Sequence, residues 1–290
     1  MRLVSLTCSN TEIVHSLQLS QCLVGVDDHS DYPKDILAKL PRVGPDLGID
    51  VARVAALEPD VVLASLTVPG HEQVVERLTQ AGLPLLVTEP VSVADVCDDV
   101  IQIAERLARF PGGEPALERA QAVVAELRAA LRSVLPSSGP LCEASPSSGP
   151  PRILVEWWPR PVIVPGKDSW VNQQLAAAGA INPMGDRAVK SSPIELQEAT
   201  LMQPDAVVIA WCGVHLTKYR PSVVYERTEW AELPALKARR VYRVPEAFLG
   251  RPSPRLISGV QAFRSIVSDI EAGRPAPEDA IPIGLDVSEV

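Results

Sequence analysis

The sequence predicts an α/β protein in which two lobes of parallel sheet, flanked by helices, are joined by a single long backbone helix. Three observations predict this class. Short apolar runs alternate with helical patterns in both halves of the chain. A Pro-Asp pair stands before a buried-strand pattern once in each half, at residues 59 and 204. An amphipathic segment separates the halves, and the 290 residues suit about two domains of ordinary size.

The first lobe is predicted over residues 1–110. Its strands are short runs of β-branched and other apolar residues, and its helices show apolar spacings of three and four. The predicted strands are 3–7, 23–26, 61–64 and 85–87, and the predicted helices are 11–19, 50–57, 70–81 and 92–109.

Residues 111–151 are predicted to connect the lobes. Within them, positions 115–135 carry apolar residues such as Leu117, Val124 and Leu127 on one helical face, which predicts an amphipathic helix of about 20 residues and about 30 Å. The segment Pro-Ser-Ser-Gly-Pro occurs at both 136 and 146, a composition typical of a flexible, solvated connector.

The second lobe is predicted over residues 152–290, with strands at 152–157, 206–211 and 240–244 and helices at 169–178, 193–202 and 254–272. Residues 201–209 match residues 56–64: in both segments a helix ends at Pro-Asp and an apolar strand follows directly. The match favours two related lobes. The alternative is that Pro-Asp turns before apolar strands are common in any α/β protein.

Several classes of function are disfavoured. A formal charge of -9 argues against nucleic acid as a partner, and no apolar run reaches the roughly 18 to 20 residues of a membrane span. The five cysteines stand too far apart for a zinc knuckle or a redox pair. Neither a phosphate-binding loop nor a G-x-S-x-G elbow is present, and the four histidines suggest no metal site. We therefore expect a non-enzymatic protein with no resident cofactor or metal.

A family resemblance rests on segments of both lobes. In the first they are Ser-Asp-Tyr-Pro at 30–33, Leu-Pro-Arg-Val-Gly at 40–44 and Ala-Leu-Glu-Pro-Asp-Val-Val at 56–62. In the second they are residues 166–179, 233–242 and 251–256. In order and spacing, they resemble the helical-backbone (class III) solute-binding proteins of ABC importers for cobalamin and iron chelates. The Ser-Asp-Tyr-Pro and Pro-Ser-Pro-Arg elements favour the cobalamin-binding branch.

The resemblance implies that cobalamin or a related corrinoid is bound between the lobes by residues that follow the strands. In the first lobe the implied ligand-binding residues are Asp31, Tyr32, Pro33, Leu66 and Thr67; in the second they are Trp157, Trp158, Trp211, Phe248 and Arg251. Each second-lobe aromatic ring could instead be a packed core ring. In that family, an exposed glutamate on each lobe docks on an ABC permease. Glu72 fits the first position, although it could simply complement a helix dipole, and Glu226 or Glu229 is the candidate for the second.

Two alternatives remain open. An iron siderophore or haem would favour arginines at the site, for which Arg160, Arg187, Arg220 and Arg251 are the candidates. A chelatase-like tetrapyrrole enzyme would need a histidine and a carboxylate facing each other. We expect a monomer that binds a small molecule. We also expect it in the cytoplasm if the chain is complete as written, because no secretory signal precedes the first strand, and outside the cytoplasm if the chain is a trimmed mature form.

Overall fold

The computed structural model describes residues 1–132 and 149–288, and the chain divides into two compact units. The first unit comprises Met1–Arg128 and Arg251–Arg255, and the second comprises Ala129–Gly250 and Leu256–Ser288. The predicted connector falls largely outside the described residues. The predicted domain boundaries at 110 and 151 stay a prediction.

The first unit is built on one parallel sheet whose four strands lie in the order β2-β1-β3-β4. Its elements in chain order are β1 (Leu3–Ser5), α1 (Cys8–Ser16), β2 (Leu23–Val26), α2 (Lys34–Leu37), α3 (Val51–Ala56), β3 (Val61–Ser65), α4 (His71–Gln80), β4 (Leu85–Thr88), α5 (Val93–Leu107) and α6 (Ala116–Ala130). All four predicted strands are found.

Burial explains these elements. Every residue of β1 and β3 is buried, as expected of central parallel strands covered on both faces.

Helix α5 begins with a capping box in which the Ser92 hydroxyl and the Asp95 carboxylate each bind the other's main-chain N–H. Helix α6 ends at Ala130, five residues before the predicted end. Among the described residues, no helix is both long and apolar enough to cross a membrane.

The second unit contains a parallel sheet of three strands in the order β10-β9-β5. Its elements in chain order are β5 (Ile153–Glu156), β6 (Trp158–Pro159), β7 (Val162–Pro165), α7 (Val171–Ala177), β8 (Ser191–Ile194), α8 (Leu196–Met202), β9 (Ala206–Ile209), α9 (Ser222–Tyr225), α10 (Pro234–Lys237), β10 (Val241–Arg243), α11 (Glu246–Leu249) and α12 (Leu256–Glu271). The three predicted strands of this half are confirmed as β5, β9 and β10.

An antiparallel sheet of three short strands, β6-β7-β8, was not predicted. No strand was predicted between residues 158 and 205, yet Trp158 pairs with Ile163 in a hairpin. The predicted helix at 193–202 begins only at Leu196, because residues 191–194 form β8. These strands contain prolines, and the sequence of β8 is Ser-Ser-Pro-Ile. The regular alternation of apolar and polar residues that indicates a strand is therefore missing.

Candidate ligand-binding site

The carboxyl end of the first sheet is bounded by the start of α1. Thr11 donates a 2.8 Å hydrogen bond to the Ser5 hydroxyl at the end of β1, and Asn10 donates to the Ala64 carbonyl of β3 at 3.0 Å. The predicted helix at 11–19 starts too late, because residues 9–12 lie in the first turns of α1 and are buried. The apolar spacing that reveals the helix begins only at Ile13, which is why the sequence predicts a late start.

The turn after β2 is held by hydrogen bonds of its own. The Ser30 hydroxyl donates to Asp27 at 2.5 Å, and Arg42 donates to the carbonyl oxygens of both residues at 2.7 and 2.6 Å. Burial raises the pKa of Asp27, and this outweighs the opposing effects of its hydrogen bonds with Ser30 and His29. The turn therefore presents the residues that follow it, starting with Asp31, in a fixed position.

Asp31 forms a bidentate ion pair with Arg251. The two carboxylate oxygens accept hydrogen bonds from Nη1 and Nη2 at 2.5 and 3.0 Å, the geometry in which guanidinium binds carboxylate best. Partial burial raises the pKa of Asp31, but the hydrogen bond and charge of Arg251 and the charge of Arg255 outweigh it and leave the pKa lowered. Although Arg251 was predicted as a second-lobe residue, its segment belongs to the first unit.

Glu12 is the buried centre of this cluster. Its side chain is 2% exposed, and it accepts hydrogen bonds from Arg251 at 3.0 Å, from the Ser253 hydroxyl at 2.5 Å and from Arg255 at 3.1 Å. A buried carboxylate is costly unless it is paired in this way. No local sequence pattern pairs these residues with one another, because Glu12 and Arg255 are 243 positions apart.

Tyr32 is half-buried and is packed by residues of the same unit. The Arg255 guanidinium lies 4.2 Å from the ring centroid, and the His15 ring meets Tyr32 edge-on at 5.1 Å. The Tyr32-Pro33 peptide bond is cis. Asp31, Tyr32 and Arg251 thus lie in one cluster with Arg255.

Leu66 and Thr67 follow β3 and are partly exposed. The Leu66 N–H donates to the Thr88 carbonyl at 2.9 Å, and the Thr67 hydroxyl accepts a 3.2 Å hydrogen bond from Ser65. Both residues therefore lie at the same edge of the sheet as the turn after β2, as expected for loops that follow parallel strands.

Glu72 lies in the first turn of α4 and is exposed. Its carboxylate accepts a 2.9 Å hydrogen bond from the Gly70 N–H. Beside it, the buried His71 bonds Asp46 at 2.5 Å and faces the Val68 N–H with its other ring nitrogen, 3.4 Å away. This histidine and carboxylate hold the loop before α4 to the segment before α3, a structural role that does not need a substrate.

In the second unit, the buried Glu156 ends β5 and binds Arg227 through both carboxylate oxygens, at 2.5 and 3.1 Å. The Trp211 indole N–H donates to the same carboxylate at 2.9 Å, and the Trp211 ring packs 5.5 Å from that of Tyr219. Arg227 also lies 4.3 Å from the centre of the Trp230 ring. Trp211 is thus packed by its neighbours, with 6% of its surface exposed.

The other predicted aromatic residues of this unit differ in exposure. Trp157 and Phe248 are buried, and Trp158 on β6 is 40% exposed. Phe248 lies in α11, where its carbonyl accepts a hydrogen bond from the buried Gln174. Trp158 is therefore the predicted second-unit ring with the most surface available to a ligand.

Two of the second-unit arginines that could contact an anionic ligand form ion pairs or hydrogen bonds with nearby residues of the same unit. Arg187 pairs with Glu198 at 2.7 Å, and Arg220 donates to the carbonyls of Thr217 and Tyr219. A depression of about 440 Å³ beside the β6–β7 hairpin is lined by Arg160, Arg227, Glu195, Glu226 and Glu229 among others. Within 1–132 and 149–288, no three histidine, cysteine or acidic residues are grouped as a metal site.

Comparisons with known proteins decide the family. The family described as "Periplasmic binding protein" matches residues 3–248. The chain belongs to this family. It is therefore a binding protein rather than an enzyme, which confirms that expectation and excludes the chelatase alternative.

Two curated relatives cover most of the chain. An uncharacterized ABC transporter substrate-binding lipoprotein, YvrC of Bacillus subtilis, is 29% identical over 264 residues, covering 90% of this chain and 77% of the relative. A vitamin B12-binding protein of Salmonella choleraesuis is 26% identical over 269 residues, covering 93% and 91%. These relatives confirm the recognised resemblance to substrate-binding proteins of ABC importers.

Solved structures share the fold. The vitamin B12-binding protein BtuF of Vibrio cholerae has a TM-score of 0.72 at 20% identity, covering 93% of this chain and 97% of its own. The haem-binding protein HutB of the same organism has a TM-score of 0.73 at 20% identity, covering 92% and 98%. The predicted fold class, with parallel sheets flanked by helices, is confirmed.

Proposed function

We propose that this protein binds cobalamin or a related corrinoid and delivers it to an ABC permease. The observation that carries the proposal is the position of Tyr32. Its half-exposed aromatic ring lies at the carboxyl end of a parallel sheet and is packed between Arg255 and His15. A rigid ring in that position offers apolar area to a large flat ligand at little cost in side-chain entropy. Similarity to proteins named for vitamin B12 binding, over more than 90% of the chain, supports the same ligand.

The first-unit contacts in this proposal are Asp31, Tyr32, Pro33, Leu66 and Thr67. All five lie in the segments that follow β2 and β3. These two strands flank β1 in the sheet. In the second unit, Trp158 has the exposure that a contact needs. We assign Trp157, Trp211 and Phe248 the supporting role of packing beneath the surface, because their rings are buried.

An iron chelate or haem is the second candidate. The observation in its favour is that Arg160 and Arg220 are exposed in the second unit, where they could meet an anionic ligand. Against it, Arg187 is paired with Glu198, and Arg251 is paired with Glu12 and Asp31. Two of the four arginines proposed for anion binding are thus neutralised, which favours the corrinoid.

The partner in this proposal is a permease, and delivery to it requires a location outside the cytoplasm. Glu72 is the proposed docking residue of the first unit because it is exposed at the start of α4. Glu226 and Glu229 are both exposed and line the depression of the second unit, so either could serve as the second. We propose that a single copy of the chain is sufficient for binding.

A direct binding measurement tests the ligand. The purified chain is titrated with cyanocobalamin and, separately, with haem, each followed by calorimetry and by absorbance retained after desalting. We expect a saturable 1:1 complex with cyanocobalamin and weaker binding of haem. Tight haem binding without retention of corrinoid would replace the first candidate by the second, and retention of neither would reject both.

A further inference from the structure

The ion-pair cluster at the end of β2 contains two carboxylates and two guanidinium groups. They belong to Glu12, Asp31, Arg251 and Arg255, and all four residues are in the first unit. The formal charges therefore cancel within the cluster. This matters for ligand choice, because arginine is the residue that most often recognises a carboxylate on a ligand.

Both terminal nitrogens of Arg251 are already engaged by protein carboxylates. Nη1 binds Glu12 and Asp31, and Nη2 binds the second oxygen of Asp31. Glu12 is held in place by burial and by two further donors, Ser253 and Arg255. The Glu12 interaction is thus a fixed part of the fold.

Asp31 differs from Glu12 because its side chain is 54% exposed. A carboxylate on a ligand approaching Arg251 would have to displace Asp31 and would meet its negative charge. Bringing like charges together opposes binding, whereas an uncharged amide on the ligand pays no such penalty. The exposed partner of the ion pair therefore controls access to Arg251.

We propose that Asp31 is a specificity-determining residue that makes the site select ligands with an uncharged, amide-bearing periphery over those bearing carboxylates. This inference rests on the proposed corrinoid function and refines its substrate class. It assigns Asp31 a role besides direct contact: it occupies Arg251. The consequence is that removing the Asp31 charge should admit carboxylate ligands.

The test compares two ligands that differ by one group. Cyanocobalamin carries peripheral amides, and its monocarboxylic acid derivative has one of these amides replaced by a carboxylate. Affinity for each is measured by calorimetry at low and at physiological salt, for the wild-type protein and for Asp31→Asn. We expect the wild type to prefer the amide form at least tenfold, and Asp31→Asn to reduce that preference at least fivefold, with the larger change at low salt.

Two further variants identify the cause. Asp28→Asn removes a charge from an exposed neighbouring carboxylate and should leave the preference at its wild-type value. The double variant Asp31→Asn with Arg251→Gln removes both partners of the ion pair. It should not show the increased affinity for the monocarboxylic acid that we expect of Asp31→Asn alone. An equal gain in Asp28→Asn would overturn the inference, because it would show that net charge alone governs the effect.

The outcomes separate this inference from the proposed function. If the wild type binds cyanocobalamin but does not discriminate against the acid, or if Asp31→Asn keeps the wild-type preference, the selectivity role is wrong and the corrinoid function stands. If the wild type binds neither corrinoid, the proposed function fails and the inference fails with it.

Discussion

Asp205 accepts a 2.8 Å hydrogen bond from the main-chain N–H of Arg152, the residue just before β5. The first unit repeats this relationship, because Asp60 accepts a 2.7 Å hydrogen bond from the N–H of Arg2, the residue just before β1. In both units the aspartate follows the proline of a Pro-Asp pair and stands directly before the next strand. The internal match in the sequence therefore corresponds to a repeated helix-to-strand junction.

The side chains of the two arginines repeat the pattern as well. Arg152 donates to the Met202 carbonyl at 2.6 Å, and Arg2 donates to the Leu57 carbonyl at 2.9 and 2.7 Å. Each contact satisfies a carbonyl at the end of a helix, α8 and α3 respectively, that has no partner inside that helix. The Pro-Asp pair thus marks a junction with the same hydrogen bonds in both units.

We predict that Asp205→Ala lowers the free energy of unfolding by about 1 to 2 kcal/mol, because it removes a charged acceptor from a main-chain N–H. Urea denaturation followed by circular dichroism measures the change. Asp186→Ala, which removes an exposed carboxylate from the same unit, is the control and should shift stability by less than about 0.5 kcal/mol. Equal stability of the two variants would contradict a structural role for the junction.

Trp211→Ala should lower the free energy of unfolding by roughly 3 to 5 kcal/mol, because it leaves a cavity and removes the indole donor from the buried Glu156. Trp158→Ala is the control: that ring is 40% exposed, and the loss should be below about 1 kcal/mol. Urea melts of both variants give the comparison. A stable Trp211→Ala protein with at least tenfold weaker corrinoid binding would instead make this ring a ligand contact.

Short apolar runs in the sequence predicted all seven parallel strands. Buried parallel strands give such runs because both faces of the sheet are covered, so that valine, isoleucine and leucine can follow one another directly. It did not predict the β6-β7-β8 sheet, whose strands contain prolines and serines and lack alternation. For the site, Asp31 and Tyr32 came from a family motif. Their packing partners Glu12 and Arg255 stand far away in the sequence, and no local pattern pairs residues across such a separation.

Asp99 in α5 should make the protein less stable as the pH rises. Burial, together with the charges of Asp95 and Asp98, raises the pKa of Asp99 from 3.8 to about 7. Because the folded pKa lies above the unfolded one, its stabilising effect is complete below about pH 4 and is lost as the pH rises to about 7. The expected fall in the free energy of unfolding is about 2 kcal/mol, since solvent screening reduces the full linkage value.

Urea denaturation from pH 4 to pH 8 tests this linkage. Asp99→Asn should remove this part of the pH dependence and be more stable than the wild type at pH 8. Glu105→Gln changes an exposed carboxylate on the same helix and should keep the wild-type profile. A profile of Asp99→Asn that parallels the wild type would show that Asp99 ionises normally.

Tyr32→Ala should weaken corrinoid binding about tenfold, whereas Tyr32→Phe should stay within about threefold of the wild type. The ring supplies the apolar area, and burying several tens of Å² at about 25 cal/mol per Å² gives about one to a few kcal/mol. The phenylalanine variant keeps this area and the aromatic face over which Arg255 lies.

Tyr225→Ala, which removes a 37% exposed ring from the second unit, controls for the loss of an exposed aromatic ring. Calorimetric titration with cyanocobalamin gives the affinities, and urea melts establish that each variant is folded. Wild-type affinity in a folded Tyr32→Ala protein would show that this ring does not touch the ligand, and a tenfold loss in Tyr32→Phe would mean that the hydroxyl, not the ring face, makes the contact.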